Sequence, residues 1–151
     1  MNLMPNDLIM VDYKNENGEV VFSTPALVTG VSCDGDCDGY DLMYHPFQTC
    51  DIRSYEDKEE RGIPLTKEIL DANGWEGCGL WMQLKANGDA IATTIFDWTI
   101  PNKLMHISPI LYQDDHHLID CYYVHQLQQV LRLCGFVEIA NNFKIKKGET
   151  K

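Results

Sequence analysis

The sequence predicts an α+β protein, with a small antiparallel β-barrel of Src-homology-3-like type over residues 1–62 and a helix–β-meander–helix unit over residues 63–151. Three observations carry this expectation. Short apolar runs punctuated by Gly-containing turns fill the first 62 residues, helical spacing begins after Ile63-Pro64-Leu65, and the clearest amphipathic stretch lies near the end. With 44% hydrophobic and 23% charged residues among 151, the composition is globular rather than disordered. A chain of this size buries roughly 70% of its unfolded surface, so its core needs no covalent staples.

The strands of the first part are read in order. Leu8 to Tyr13 is one, Glu19 to Phe22 the next, and Asn17-Gly18 between them signals a tight hairpin with φ above zero at both central positions. Ala26 to Val31 follows Pro25, the Asp34-to-Gly39 turn leads into Tyr40 to Tyr44, and Gln48 to Arg53 is the fifth. Five short strands with tight connections suit a closed barrel, which removes exposed sheet edges. Tyr55 to Gly62 reads as a charged joint without apolar periodicity.

In the second part Thr66 is positioned to cap a helix from Lys67 to Ala72, ended by Asn73-Gly74. Leu80 to Lys85, Ala90 to Trp98 and Lys103 to Ile107 form a three-stranded meander, with Asn87-Gly88 as its first turn. Val124, Leu127, Leu131 and Cys134 then recur at intervals of three and four, one face of a helix. Asp120 is its expected N-cap, Gly135 its stop, and Arg132 its outward cation near the negative end. The stripe is expected to face the meander, against Leu84, Ile95 or Leu104.

The net charge of −11 is concentrated. Up to Gly62 thirteen acidic and four basic side chains give −9, and from Ile63 onward ten acidic and eight basic give −2. Such a surface repels phosphate backbones, so direct nucleic-acid binding by the first part is not expected. Lys144, Lys146, Lys147 and Lys151 read as a solvated basic tail. No apolar run approaches the length of a membrane span, and no basic region followed by an apolar core opens the chain. The expectation is a cytoplasmic protein with no membrane association. Its six cysteines, Cys33, Cys37, Cys50, Cys78, Cys121 and Cys134, are then reduced and mostly buried.

Two stretches carry a resemblance. Ile63-Pro64-Leu65-Thr66-Lys67-Glu68-Ile69-Leu70-Asp71-Ala72-Asn73-Gly74-Trp75 resembles an IPLT-x-EIL-x-x-NGF segment. Tyr123-Val124-His125-Gln126-Leu127-Gln128, with Leu131-Arg132-Leu133-Cys134-Gly135, resembles a YVHQLQ…LRLCG segment. Together they are similar to a family of uncharacterised small proteins of Bacteroides-type gut bacteria and their phages. In that family a variable barrel-like part precedes the two motifs. The resemblance is specific over about a quarter of the chain and implies a setting, a mobile element in a cytoplasm, rather than a reaction. Where the family ends shortly after the last helix, this chain continues through Asn141 to Ile145 as one further expected strand.

Each candidate site in the sequence competes with a simpler structural role. Asp34, Asp36 and Asp38, with Gly39, match the D-x-D-x-D-G opening of a calcium loop, in which alternating carboxylates converge on a hard cation. The twelfth position, which should supply a bidentate Glu, holds His45, and a polar hairpin turn using Asp-Gly twice is the simpler reading of the segment. Cys33, Cys37, His45 and Cys50 are zinc-ligand types at irregular spacing, crowded by hard aspartates. Cys121 and His125 sit one helical turn apart beyond His116-His117, yet a histidine beside a buried stripe more often serves a structural hydrogen bond. Asp114-Asp115 reads as a solvated loop, and Trp75, Trp81, Trp98, Tyr122 and Tyr123 as core or partner anchors.

No phosphate loop, nucleophile elbow, zincin helix or dinucleotide fingerprint is present in the sequence. The reading that results is a non-catalytic protein-interaction or accessory protein of a phage or mobile element, with no cofactor and a protein partner. Its rivals are an acidic decoy of nucleic acid that blocks a host DNA-binding protein, and a Cys/His-dependent hydrolase. One outcome follows from the absent closing Glu: calorimetry at about 1 mM calcium is expected to show no saturable site, and a micromolar dissociation constant would overturn that expectation.

Overall fold

The computed structural model describes residues 2–33, 40–48, 55–77, 81–86, 89–97, 103–111, 114–115 and 121–145. It is a mixed α and β protein that divides into two compact units, Met1–Ile63 and Pro64–Lys151.

The first unit holds β1 (Leu8–Lys14), β2 (Val20–Cys33), β3 (Tyr40–Pro46) and β4 (Asp57–Arg61), in an antiparallel sheet of order β3-β2-β1-β4. Among the described residues this sheet is open, and no closed barrel is found. The Gln48–Arg53 strand lies outside them except for Gln48, which is a bend whose N–H donates to Thr24 Oγ1 at 3.1 Å.

The inward face follows from the two-residue period of a strand. Ile9, Val11 and Tyr13 of β1 meet Ala26 and Val28 of β2 in a buried cluster, flanked by Leu3, Phe22, Leu42, Tyr44 and Tyr55. Tyr13 stacks edge-on against Tyr55, with ring centroids 4.6 Å apart.

Three local features differ from the sequence expectation, each for a physical reason. The hairpin after β1 is a longer loop closed by Asn15 and Glu19, with only Gly18 at positive φ (+78°). Asn15 Oδ1 accepts from the N–H groups of Asn17 and Glu19, an arrangement of the three-residue hairpin type. The two strands expected on either side of Pro25 are one continuous β2. Val28 N–H donates to Asp7 on the β1 side, so alternate residues put the Pro25 nitrogen on the β3 side, at the very end of that pairing, where Phe47 N–H donates to Pro25 O at 2.8 Å. The missing donor therefore falls at the last pair of the β2–β3 ladder and leaves the pairing of β2 with β1 intact. A bulge between Val28 and Gly30 lets the far half of β2 continue against β3.

The third difference is the charged joint, which is a strand. Asp57–Arg61 pairs with β1 from Lys14↔Asp57 to Met10↔Arg61. Arg61 Nε donates to Asp12 Oδ2 at 2.7 Å, Ser23 Oγ donates to Asp12 Oδ1 at 2.6 Å, and Lys14 pairs with Glu59. The Lys58 ammonium lies 5.0 Å from the Tyr44 ring centroid. A charged edge strand blunts sheet-to-sheet association.

The second unit contains α1 (Lys67–Ala72), β5 (Trp75–Glu76), β6 (Trp81–Ala86), β7 (Asp89–Asp97), β8 (Lys103–Leu111), β9 (Asp114–Asp115), α2 (Val124–Leu133) and α3 (Val137–Asn141). The strands form an antiparallel meander, β5-β6-β7-β8-β9. Two short edge strands extend the expected three, and Asp114-Asp115, read as a loop, pairs with Ile110 and Leu111. Asn87-Gly88 lies outside the described residues, between the paired Ala86 and Asp89.

Val124, Leu127 and Leu131 of α2 are buried, as is Leu84 of β6, while only the backbone is described at Ile95 and Leu104. Against α2 packs α3, and Asn141 to Ile145, expected as a further strand, form the end of α3 and the non-strand segment after it. Arg132 is accordingly half-buried rather than outward, its Nε donating to Asn141 Oδ1 at 3.0 Å. Among the described residues no helix is long and apolar enough to cross a membrane.

Asp12 gives the first unit a defined pH response. Burial would raise its pKa, but the hydrogen bonds from Arg61 and Ser23 and the charges of Arg61 and Lys14 outweigh burial and hold it below the ordinary value. Its stabilisation is therefore present above the unfolded carboxylate pKa and lost as pH falls through the lower folded value. Asp12→Asn is expected to cost about 1 kcal/mol at neutral pH, a charged hydrogen bond discounted for the half-exposed Arg61. The difference from wild type in urea unfolding should narrow below about pH 4.

Candidate functional site

The two motif segments that carry the sequence resemblance meet in the second unit. Pro64 forms an isolated antiparallel bridge with Tyr123, and Leu65 N–H donates to Tyr122 O at 2.9 Å. Thr66 then caps α1, its Oγ1 accepting from Ile69 N–H at 3.2 Å. Gly74 takes φ of +83° after α1 and turns the chain toward Trp75, which is buried.

Asn73 does more than end that helix. Its Nδ2 donates to Ile69 O at 2.8 Å and to Lys144 O at 2.7 Å, while its Oδ1 accepts from Lys144 N–H at 2.6 Å. A side-chain amide thus pairs with the N–H and C=O of one residue as a neighbouring strand would, and fixes the segment after α3. The residues expected to form a terminal strand present their backbone to this amide instead.

The opposite end of the frame is capped by Gln126. Its Oε1 accepts from the N–H groups of Tyr122 (2.8 Å) and Tyr123 (3.1 Å), the reverse half of a capping box. Tyr123 is the N-cap residue, and Asp120, the expected cap, lies outside the described residues. At the C-terminal end, Phe136 N–H donates to Leu131 O at 2.8 Å and Gly135 N–H to Arg132 O at 3.0 Å, with Gly135 at φ +92°. This is a Schellman stop. Gln128 is fully buried and donates from Nε2 to Ala140 O at 3.0 Å, tying α2 to α3.

Cys121 and His125 are both buried, and the His125 ring stacks on Tyr123 with centroids 5.8 Å apart and planes 9° from parallel. Tyr123 itself is 40% exposed, whereas Tyr122 is half-buried. Burial pushes the Cys134 thiol above its ordinary pKa, which disfavours the thiolate a nucleophile requires. His45 is exposed on β3, opposite Leu27. Asp34, Asp36, Asp38, Cys37, Cys50, His116 and His117 lie outside the described residues. Among the described residues no three His, Cys, Asp or Glu side chains gather where they could hold a metal.

No family model, curated protein or solved structure matches the chain. The chemistry of the motif junction therefore rests on its own geometry. Its polar side chains are engaged with backbone groups at helix ends and between segments, which builds a scaffold. The sequence signal for this was present in Asn73 and Gln126, but their partners, Lys144 and the Tyr122–Tyr123 amides, depend on tertiary closure.

The Asn73 clamp separates two roles by substitution. A helix stop alone would tolerate Asp, whereas the clamp requires a donor facing two carbonyls. Asn73→Asp should destabilise at least as much as Asn73→Ala, each by about 1–3 kcal/mol in chemical denaturation, because a carboxylate cannot donate to Ile69 O or Lys144 O.

Proposed function

We propose that this chain is a non-catalytic accessory protein that acts by binding another protein, with its acidic first unit steering a basic partner. The observation that carries the reading is the charge asymmetry, −9 up to Gly62 against −2 thereafter. Glu16, Glu19, Glu56 and Asp57 are exposed on the first unit, where fields from like charges sum and raise association rates. In the second unit Leu133 is 80% and Val137 47% exposed on either side of the Gly135 stop, the kind of apolar side chain a partner surface covers. A mobile-element setting in the cytoplasm is part of the proposal and rests on the two motif segments alone. Neither nucleic acid nor membrane is a proposed partner.

The proposal includes a finer architecture for the first unit, a small Src-homology-3-like barrel. It is supported by the return of β4 to pair with β1, and by the length and bulge of β2, which suit a strand shared between two faces of a barrel. Closure would run through residues 49–53, outside the described residues.

The test is capture of proteins from a Bacteroides-type host on the immobilised full chain, followed by kinetics with the purified partner. Steering predicts an association rate that falls steeply with added salt and falls again for the combined Glu16→Gln, Glu19→Gln, Glu56→Gln variant, with dissociation little changed. A rate insensitive to both would overturn the reading. Competition by duplex DNA for the captured protein would favour the decoy instead.

A further inference from the structure

The strand β4 stands apart from the sheet it completes. All five of its residues, Asp57-Lys58-Glu59-Glu60-Arg61, are charged, and none joins the buried cluster formed by β1 and β2. Among the described residues its side chains are fastened through charge: Arg61 on Asp12, Glu59 on Lys14, and Lys58 over the Tyr44 ring. The segments flanking it are held differently. Tyr55 packs on Tyr13 before it, and Ile63 is buried after it. We propose that β4 is an electrostatic latch: it opens as a unit between those two apolar anchors and uncovers the edge of β1, while the rest of the sheet stays folded.

The physical case rests on how differently the two sides of β1 are held. Toward β2 the ladder is backed by buried apolar side chains that water does not reach. Toward β4 the partly exposed pairs are screened by salt, over a distance that shrinks to about 3 Å at 1 M. Edge segments with few buried apolar contacts belong to the low-stability end of local opening. Opening frees the outward amides and carbonyls of β1, a row of groups able to accept another strand.

The strand carries its own internal control. Lys14 O accepts from Glu56 N–H at 2.9 Å, whereas Asn15 N–H donates to Glu19 O at 2.9 Å, so successive β1 residues face opposite neighbours. The amides of Asp12 and Lys14 face β4, and those of Val11 and Tyr13 face β2. Hydrogen exchange of the full chain, resolved by residue between about 0.01 M and about 1 M NaCl, compares the two sets in one molecule. The latch predicts that protection of Asp12 and Lys14 falls at least about tenfold relative to Val11 and Tyr13 as salt rises. At low salt, Arg61→Gln combined with Lys14→Gln should shift the same ratio in the same direction, read at Asp12 against Val11 and Tyr13. A ratio unchanged by salt overturns the latch, whether both sets remain protected, lose protection together, or β4-facing amides are unprotected throughout.

Discussion

A side chain standing in for a strand governs the second unit. The chain leaves the first motif at Trp75, runs through the meander and returns at Cys121, so its helices must be closed by contacts distant in sequence. Asn73 supplies one such closure by donating to and accepting from the peptide groups around Lys144. Leu65 and Tyr122 supply the other through their backbone. With both ends fixed, α1, α2 and α3 can bury Leu70, Leu127, Leu131 and Ala140 without a long helix among the described residues. The buried Gln128 amide is tolerated here because it is matched with Ala140 O.

The first unit solves the same closure problem with charge. Among the described residues its apolar inward face is formed by β1, β2 and their half-buried neighbours, and the sheet is then extended by a strand that has no apolar side chain to contribute. Asp12 makes this workable. It is buried, yet it accepts from Ser23 on β2 and from Arg61 on β4, so one carboxylate spans three strands. Such a group stabilises the sheet while its bonds are intact and penalises it when either donor is lost.

Much of this architecture was legible locally. The alternation in Ile9, Val11 and Tyr13, the Thr66 cap, the Gly135 stop and the spacing of Val124, Leu127 and Leu131 are properties of short windows, and each has a local cause in period or capping. What was not legible depends on neighbours. Pro25 reads as a strand break until it is known that its nitrogen faces the last pair of the β3 ladder and not β1. Glu56 to Arg61 reads as a joint because a five-residue strand without apolar residues has no period to detect. Asn73 reads as a helix stop because its distant partner is a backbone group, which carries no sequence signature. Of the candidate sites, the Asp34–Asp38 loop falls outside the described residues, while His125 and Cys121 fall in the buried part of the motif junction.

The placement of cations in the first unit links its stability to its surface field. Lys14, Lys58 and Arg61 are three of its four basic residues, and each is held in a contact between β4 and the remaining sheet. Glu16, Glu19, Glu56 and Asp57 stand exposed at the β1–β2 hairpin and at the start of β4, around this network. These three cations are committed to fastening an edge. Internal pairing and outward field are thus opposite sides of one arrangement: engaging the cations within the sheet leaves an acidic surface. Screening by salt acts on both, weakening the pairs that hold β4 and shortening the reach of the carboxylates around it.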